Sequence, residues 1–493
     1  MAGIGIQLNR IFDKHTVISS LYGIGFSFVY TIAPMLVVIG CLFGMFEVLG
    51  FDTVGYLERE TFSCSILYIF IFSLLTSAPF NSVLSKFQTD RIYEQRYEDI
   101  RPCIYVGTIT NLTLASVVAI PFYLYEIVTG NVPVYYVFTT YMGFLGLVLT
   151  FSTMVYNSIL KQYKKITMYF TVSMIVTFLL SVIFRLLFQF SVAYSMLLAL
   201  SIGFLLIAAL ELANVLRYFP TNSRRYGDVL HYFRVYWKLI ASNFLYTLGL
   251  FIHNFVFWVQ PWHLVVRDTY VCNPSYDMAS CLAMFTNVSA SVLFISRVEM
   301  HFHERYKEYT EAVIGGKLDS IEKAKKRMFR GLSSQILSLA HIQFIVSVVL
   351  FFLAMVVLPI IGFAGMIMEI YPQLAVGYFI SFLMYSEMLF LYYFDDLTGA
   401  VLNGVIYAGI SFTGSLLAAH LPPIWYGVGF TAASFFAFSF SYFRLRWIER
   451  NMDTHVFCRG TVLKQESGEM PEPDIYNAYK KRTASVNNKS NKI

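Results

Sequence analysis

Residues Ala193–Leu216, AYSMLLALSIGFLLIAALELANVL, hold a single charged side chain, Glu211. As a helix this stretch would rise about 36 Å, and a bilayer's hydrocarbon core of about 30 Å needs only roughly 20 apolar residues to cross it. So long an apolar run is too long for a strand and reads as a membrane span. Eleven further stretches of the same kind lie around it, near Leu21–Leu49, Thr61–Leu84, Cys103–Tyr125, Pro133–Leu160, Ile166–Leu187, Val235–Trp258, Met278–Ser296, Ile336–Ile361, Leu374–Phe394, Gly399–Ala419 and Pro422–Phe443. The first is too long for a signal peptide and lacks a small-residue cleavage site, so it is expected to stay in the protein.

Composition agrees. Of 493 residues, 57% are hydrophobic and 13% charged, against about 25% charged in an ordinary soluble domain. The expected fold is all-α, a polytopic membrane protein of about twelve transmembrane helices in two six-helix lobes around a central cavity. Basic residues orient it. Of the 36 Lys and Arg residues, all but Arg59, Arg185 and Arg267 fall before span one, after the even-numbered spans or in the tail. Lys and Arg gather on the cytoplasmic side, so both ends are expected in the cytoplasm and the chain in the cytoplasmic (inner) membrane. The turn at Asp395–Asp396 has no Lys or Arg, and its inward placement follows from the parity of its neighbours. The net charge of +6 arises from the same bias. It suits anionic lipid and requires no nucleic acid.

The expected organisation is a cytoplasmic interfacial segment over 1–20, a first lobe over 21–218, a polar link over 219–234, a second lobe over 235–446 and a cytoplasmic, disordered tail over 447–493, too poor in apolar surface to pack. In the opening MAGIGIQLNRIF, Ile4, Leu8, Ile11 and Phe12 share a helical face, as an interfacial helix or a structured lead-in would have it. The loop His301–Gln335 reads as two helices broken at Gly315–Gly316, with Asp319 and Glu322 spaced as a capping box. No residue-level repeat relates the lobes. The longest outward loop, Gln260–Asp277, leaves no room for a catalytic domain. Cys272 and Cys281 both fall near the outer surface, where a disulfide can persist, and they could pair.

Ionisable groups within spans are costly and mark either function or structural pairing. Arg185, near the outer end of span five, could snorkel to the interface or meet a carbohydrate hydroxyl or anion. Glu211 belongs either to a cation or proton relay or to a pair with Arg217 bridged by Asn214. Glu387, mid-span in span ten, is either a protonated carboxyl bonded to a neighbouring helix or a group that exchanges protons during transport. His253 and Asn254 read as helix-packing polar groups or as a ligand or proton site. Arg297, Glu299, His301 and His303, at the inner end of span eight, suit salt bridges better than a metal. Asp395 and Asp396 close the inner end of span ten. Of the tyrosines within spans, Tyr30, Tyr68, Tyr246 and Tyr385 could line a hydrophilic path. Nothing in the spacing points to a cofactor or a metal.

Several stretches together are similar to one family: the opening MAGIGIQLNRIF, LYTLGLFIHNFVFW at 245–258, FISRVEMHFHERYKEYTEAVIGG at 294–316, LYYFDDLTG at 391–399 and PPIWYGVGF at 422–430. They resemble the PelG family of membrane transporters in Pel exopolysaccharide export, over residues 1 to about 458. The resemblance implies a branch of the multidrug/oligosaccharidyl-lipid/polysaccharide flippase superfamily, with two six-helix bundles around a cavity that opens to alternate sides. It implies a polymer rich in N-acetylhexosamine that leaves without a lipid carrier. It also implies a cytosolic glycosyltransferase and accessory Pel membrane proteins as partners, with the basic segment Lys323–Arg330 as a docking surface. Arg297, Glu299 and Asp395 match the family pattern; members commonly carry an Asp–Lys pair where this chain has His253–Asn254.

Two other classes stand beside transport. A membrane-embedded glycosyltransferase would need a general base and an oriented acceptor site, yet no histidine lies beside a second acid in an apolar span and neither the outer loops nor the link holds a nucleotide-binding signature. A scaffold or pore subunit of a polysaccharide synthase fits the same composition.

Overall fold

The computed structural model describes residues 17–160, 163–287, 300–361 and 365–461, with side chains described from Ala33 to Met452 apart from a few positions. The interfacial reading of the first residues, Arg297, Glu299, the side chains of Tyr30, His301 and His303 and most of the tail lie outside this description. The chain divides into two units, residues 1–443 and 444–493.

The first unit begins with α1 (Val17–Leu49), which stops at Gly50 in the left-handed conformation (φ 65°), the usual helix terminator. Five helices follow: α2 (Tyr56–Tyr93), α3 (Ile100–Val128), α4 (Val134–Ile159), α5 (Tyr163–Leu186) and α6 (Val192–Tyr218). Helix α4 packs on α2, α3 and α6, and α5 fills the gap between α6 and α1. Their shared core is large and apolar, with Met45, Phe62, Phe144, Val148, Leu200 and Phe204 all buried. The link carries a short helix, α7 (Tyr226–Val235).

A second bundle follows: α8 (Trp237–Trp258), α9 (Pro274–Asn287), α10 (Met300–Gly315), α11 (Leu318–Ile361), α12 (Met366–Tyr393), α13 (Leu397–Ala418) and α14 (Val428–Thr461). Helix α8 packs on α13, α9 on α12, and α11 on α10 and α12. This bundle has its own core of Tyr276, Tyr371, Met384, Tyr407 and Phe430. At the crossing of α13 and α14, Gly414 and Gly429 face each other so closely that a Cβ on Gly429 would overlap the Gly414 carbonyl carbon and the Ser415 nitrogen. Helices in lipid associate by such close backbone approach.

Among the described residues ten helices are long and apolar enough to cross a membrane: α2 to α6, α8 and α11 to α14. With α1, and with α9 over the described part of the eighth, they fall at the twelve positions that hydropathy marks. Three boundaries differ from expectation, each for a local reason. Helix α2 runs well past Leu84 because its last turns are held by charge, Lys86 with Asp90 (3.9 Å) and Arg91 with Glu94 (2.6 Å). Helix α11 fuses the second loop helix with span nine, since GLSSQ at 331–335 offers no break that outweighs its neighbours. There is no capping box: Asp319 lies inside the first turn of α11 and pairs with Lys323 at 2.6 Å, and Glu322 with Lys326 at 3.8 Å.

The loop between α8 and α9 folds into an antiparallel hairpin, β1 (Leu264–Val266) and β2 (Tyr270–Cys272), in the register Leu264↔Cys272 and Val266↔Tyr270. Arg267 and Asp268 in its turn both have φ of 54°, the positive values that tight hairpin turns demand. In the second unit, the last part of α14 pairs Arg446 with Glu449 at 2.8 Å.

Below, the end of the bundles rich in Lys and Arg is the basic end, and the end bearing the hairpin is the far end.

Candidate functional site

Each bundle buries one carboxyl against one hydroxyl in its basic half. In the first, Glu211 on α6 is fully buried and its Oε2 accepts from Thr153 Oγ1 on α4 at 2.7 Å, while Oε1 has no partner. In the second, Glu387 on α12 is 1% exposed and its Oε2 accepts from Ser441 Oγ on α14 at 2.5 Å. Thr153, Glu211 and Glu387 all stand about two helical turns before the basic ends of their helices. The fourth and sixth spans of each bundle are thus joined at matching depth, with carboxyl and hydroxyl exchanged between them. No residue-level repeat announces this correspondence, because Thr, Ser and Glu trade places.

From Glu211 a polar chain continues toward the basic end. Asn157 Nδ2 donates to the Glu211 carbonyl at 3.1 Å, Asn214 Nδ2 to Asn157 Oδ1 at 2.8 Å, and Lys165 Nζ to Asn214 Oδ1 at 3.0 Å. Asn214 therefore bridges to α4 and α5, and Arg217 is exposed.

His253 and Asn254 belong to a different cluster, toward the far end of the second bundle. Its centre is Asp277, at the end of the outward loop Gln260–Asp277. Asn254 Nδ2 donates to Asp277 Oδ1 at 2.7 Å, Trp258 Nε1 donates to the same carboxylate at 2.9 Å, and the Asn273 backbone N–H caps Oδ2 at 3.0 Å. Beside it His253 Nδ1 meets the Tyr276 hydroxyl at 2.9 Å under the Phe430 ring, and Ser280 bonds Tyr378 at 2.8 Å. The signal was present as two i, i+4 pairs, Asn254 with Trp258 and Asn273 with Asp277. Asp277→Leu should strand these donors and destabilise the protein by about 2–4 kcal/mol, since each buried unsatisfied group costs about 1–3 kcal/mol; thermal unfolding in detergent checks this.

The two bundles meet along a seam between α2 and α8. Asn243 Nδ2 of α8 donates to the Ala78 carbonyl of α2 at 2.5 Å, Phe72 stacks on Phe255, and Tyr68 stacks on Trp258 with ring centroids 5.1 Å apart. At the basic end the link completes it, with Phe233 against Phe80 and Tyr232 against Phe87. At the far end the hairpin seals it. The Tyr68 hydroxyl donates to the Val271 carbonyl at 2.8 Å and accepts from the Val271 N–H at 3.1 Å, so α2 satisfies the edge of β2. Ser65 donates to the Tyr270 hydroxyl at 3.2 Å. Gly130 permits the hairpin turn to sit down, because a Cβ there would lie 2.8 Å from the Arg267 carbonyl oxygen.

The other expected residues take local roles. Arg185 donates to the Phe190 carbonyl at 2.9 Å and lines an open cleft of about 440 Å³ at the far end with Glu58 and Tyr56. Asp396 caps α13 by accepting from the Gly399 N–H at 3.2 Å, and Asp395 is exposed. Of the tyrosines, Tyr68 pins the hairpin, while Tyr246 and Tyr385 stack at 4.6 Å, both half-buried. The thiol beside Cys272 is that of Cys64, not Cys281. Among the described residues no group of three or more His, Cys, Asp or Glu could hold a metal.

Residues 1–457 match the family model PelG, described as "Putative exopolysaccharide Exporter (EPS-E)". The chain belongs to the PelG family. Nothing among curated proteins matches this PelG-family chain. Solved structures do. The eukaryotic MATE transporter AtDTX14 superposes with a TM-score of 0.58 at 11% identity, covering 90% of this chain and 95% of that one. A multidrug resistance MATE family transporter of the MOP superfamily is similar both in an inward-facing conformation (TM-score 0.53, 14% identity, 86% and 96% coverage) and in an outward-facing one (0.54, 14%, 86% and 95%). At such identities the likeness concerns the fold: this PelG-family chain is a multi-pass membrane protein with the MATE-like architecture of MOP-superfamily transporters.

Proposed function

We propose that the protein moves a Pel-like polysaccharide rich in N-acetylhexosamine through the cytoplasmic membrane, by rocking its two six-helix bundles about the α2–α8 seam. The observation that carries this is the seam itself: two bundles with separate cores, joined along one line of side-chain contacts, in a chain of an exopolysaccharide-exporter family. Such a joint can part where an all-round core could not. The basic end and both termini face the cytoplasm, as the Lys and Arg bias favours. There the segment Lys323–Arg330 of α11 offers a docking surface for a cytosolic glycosyltransferase and accessory membrane proteins, although Lys323, Lys326 and Arg327 each have an acidic neighbour within 4 Å. Half-buried Tyr246 and Tyr385 supply aromatic faces on which sugar rings can slide. Glu211 and Glu387 are the ion-coupling groups. Arg185, His253, Asn254 and the Asp395–Asp396 turn support the helices that carry them.

Reconstitution tests the reading. Purified protein in proteoliposomes should take up labelled N-acetylhexosamine oligomers under an imposed proton or sodium gradient. No uptake under either gradient would sink the coupled-transport reading; uptake only with active glycosyltransferase would favour a synthase-coupled conduit. Polymer made by the protein alone from nucleotide sugar would make it an enzyme.

A further inference from the structure

The far end of the seam contains a pair of thiols that neither transport nor family membership uses. Cys64 of α2 and Cys272 at the end of β2 have their sulfurs 3.1 Å apart, and both residues are buried, 2% and 3% exposed. They are 208 positions apart in the chain and lie on opposite sides of the seam. Around them stand Tyr68, Trp258 and Tyr270, the same rings that hold the hairpin on α2. Both thiols are free, and an S–S bond of about 2.05 Å needs them to close by only about 1 Å.

We propose that Cys64 and Cys272 form a redox latch: a disulfide between them fastens the hairpin to α2 and holds the far end of the seam shut. The chemistry is thiol–disulfide exchange with an organic disulfide donor. One cysteine, as its thiolate, attacks a donor sulfur and releases the donor's first thiolate; the second cysteine then displaces the remaining donor sulfur. The pair loses two protons and two electrons, the donor disulfide gains both as two thiols, and a dithiol reverses the exchange. Because both sulfurs are buried, the donor reaches them only when the hairpin lifts from α2, so the rate of latching reports how often the far end opens. A natural donor on the outer side rests on the orientation given under the proposed function; the latch itself does not.

The full-length protein in nanodiscs, incubated with oxidised glutathione, then alkylated and digested, should yield a peptide linking Cys64 to Cys272. Cys281→Ser should retain that peptide, while Cys64→Ser and Cys272→Ser should lose it. Amide exchange over Leu264–Cys272 should slow at least about ten-fold in the linked protein and recover with dithiothreitol. Recovery of a Cys272–Cys281 peptide instead, absence of any Cys64–Cys272 link, or unchanged hairpin exchange in the linked protein would each overturn the latch. None of these measurements needs transport. If the reduced protein fails to move polysaccharide, the proposed function fails alone; if it moves polysaccharide, linkage should stop it reversibly.

Discussion

Glu387→Gln should lower polysaccharide export at least about ten-fold while the protein still folds and inserts, if the buried carboxyl exchanges the coupling proton as proposed. Glutamine keeps the length and planarity of the side chain and can still accept from Ser441, so the bond between α12 and α14 survives in altered form. What it cannot do is exchange a proton. Glu211→Gln should behave alike against Thr153, and the double variant should be little worse than either alone if both groups serve one coupled cycle. Glu387→Ala is the control for structure: it leaves Ser441 facing a void and should lower thermal stability as well as export. The measurement is secreted polymer normalised to membrane-inserted protein. Normal export by both Gln variants would end the ion-coupling assignment without touching the fold.

Gly429→Leu should be more damaging still, because no rotamer escapes the overlap of its Cβ with the Gly414 and Ser415 backbone. The α13–α14 crossing would have to separate, at a cost of about 3 kcal/mol, and little folded protein should survive purification. Gly409→Ala on the facing helix α13 has nothing within 4 Å of its new Cβ and should be neutral. Size-exclusion profiles of the two variants in detergent give the comparison directly, and equal profiles would show that the crossing is looser than described.

The spans were legible because hydropathy over some twenty residues and the alternation of Lys and Arg both act over long windows. The joining of the loop helix to span nine was not, since helix continuity through Gly331 depends on neighbours on both sides rather than on the residue itself. Glu211 and Glu387 stand out as isolated charges; their partners Thr153 and Ser441 do not, because Ser and Thr are common in membrane helices and usually bond back within their own helix, as Thr153 also does with Leu149. Asp277 was hidden by its place at a span boundary, where a charge needs no explanation. The Cys64–Cys272 approach is not legible in the sequence: it depends on how two bundles dock, and Cys281 lies far nearer to Cys272 along the chain. The hairpin left no trace either, with strands of three residues and an Arg–Asp turn in place of Asn or Gly.

That hairpin has a consequence for biogenesis. Its docking site on α2 is synthesised long before it is: Cys64 precedes Cys272 by 208 residues, which at ribosomal speeds of about 5–20 residues per second is a delay of about 10–40 s. Throughout that interval the nascent first half carries a bare aromatic and thiol patch at the end of its second helix. Any factor that guards young membrane proteins from premature oxidation or wrong pairing would therefore have to shield this patch for about two-fifths of the chain's synthesis, 208 of 493 residues.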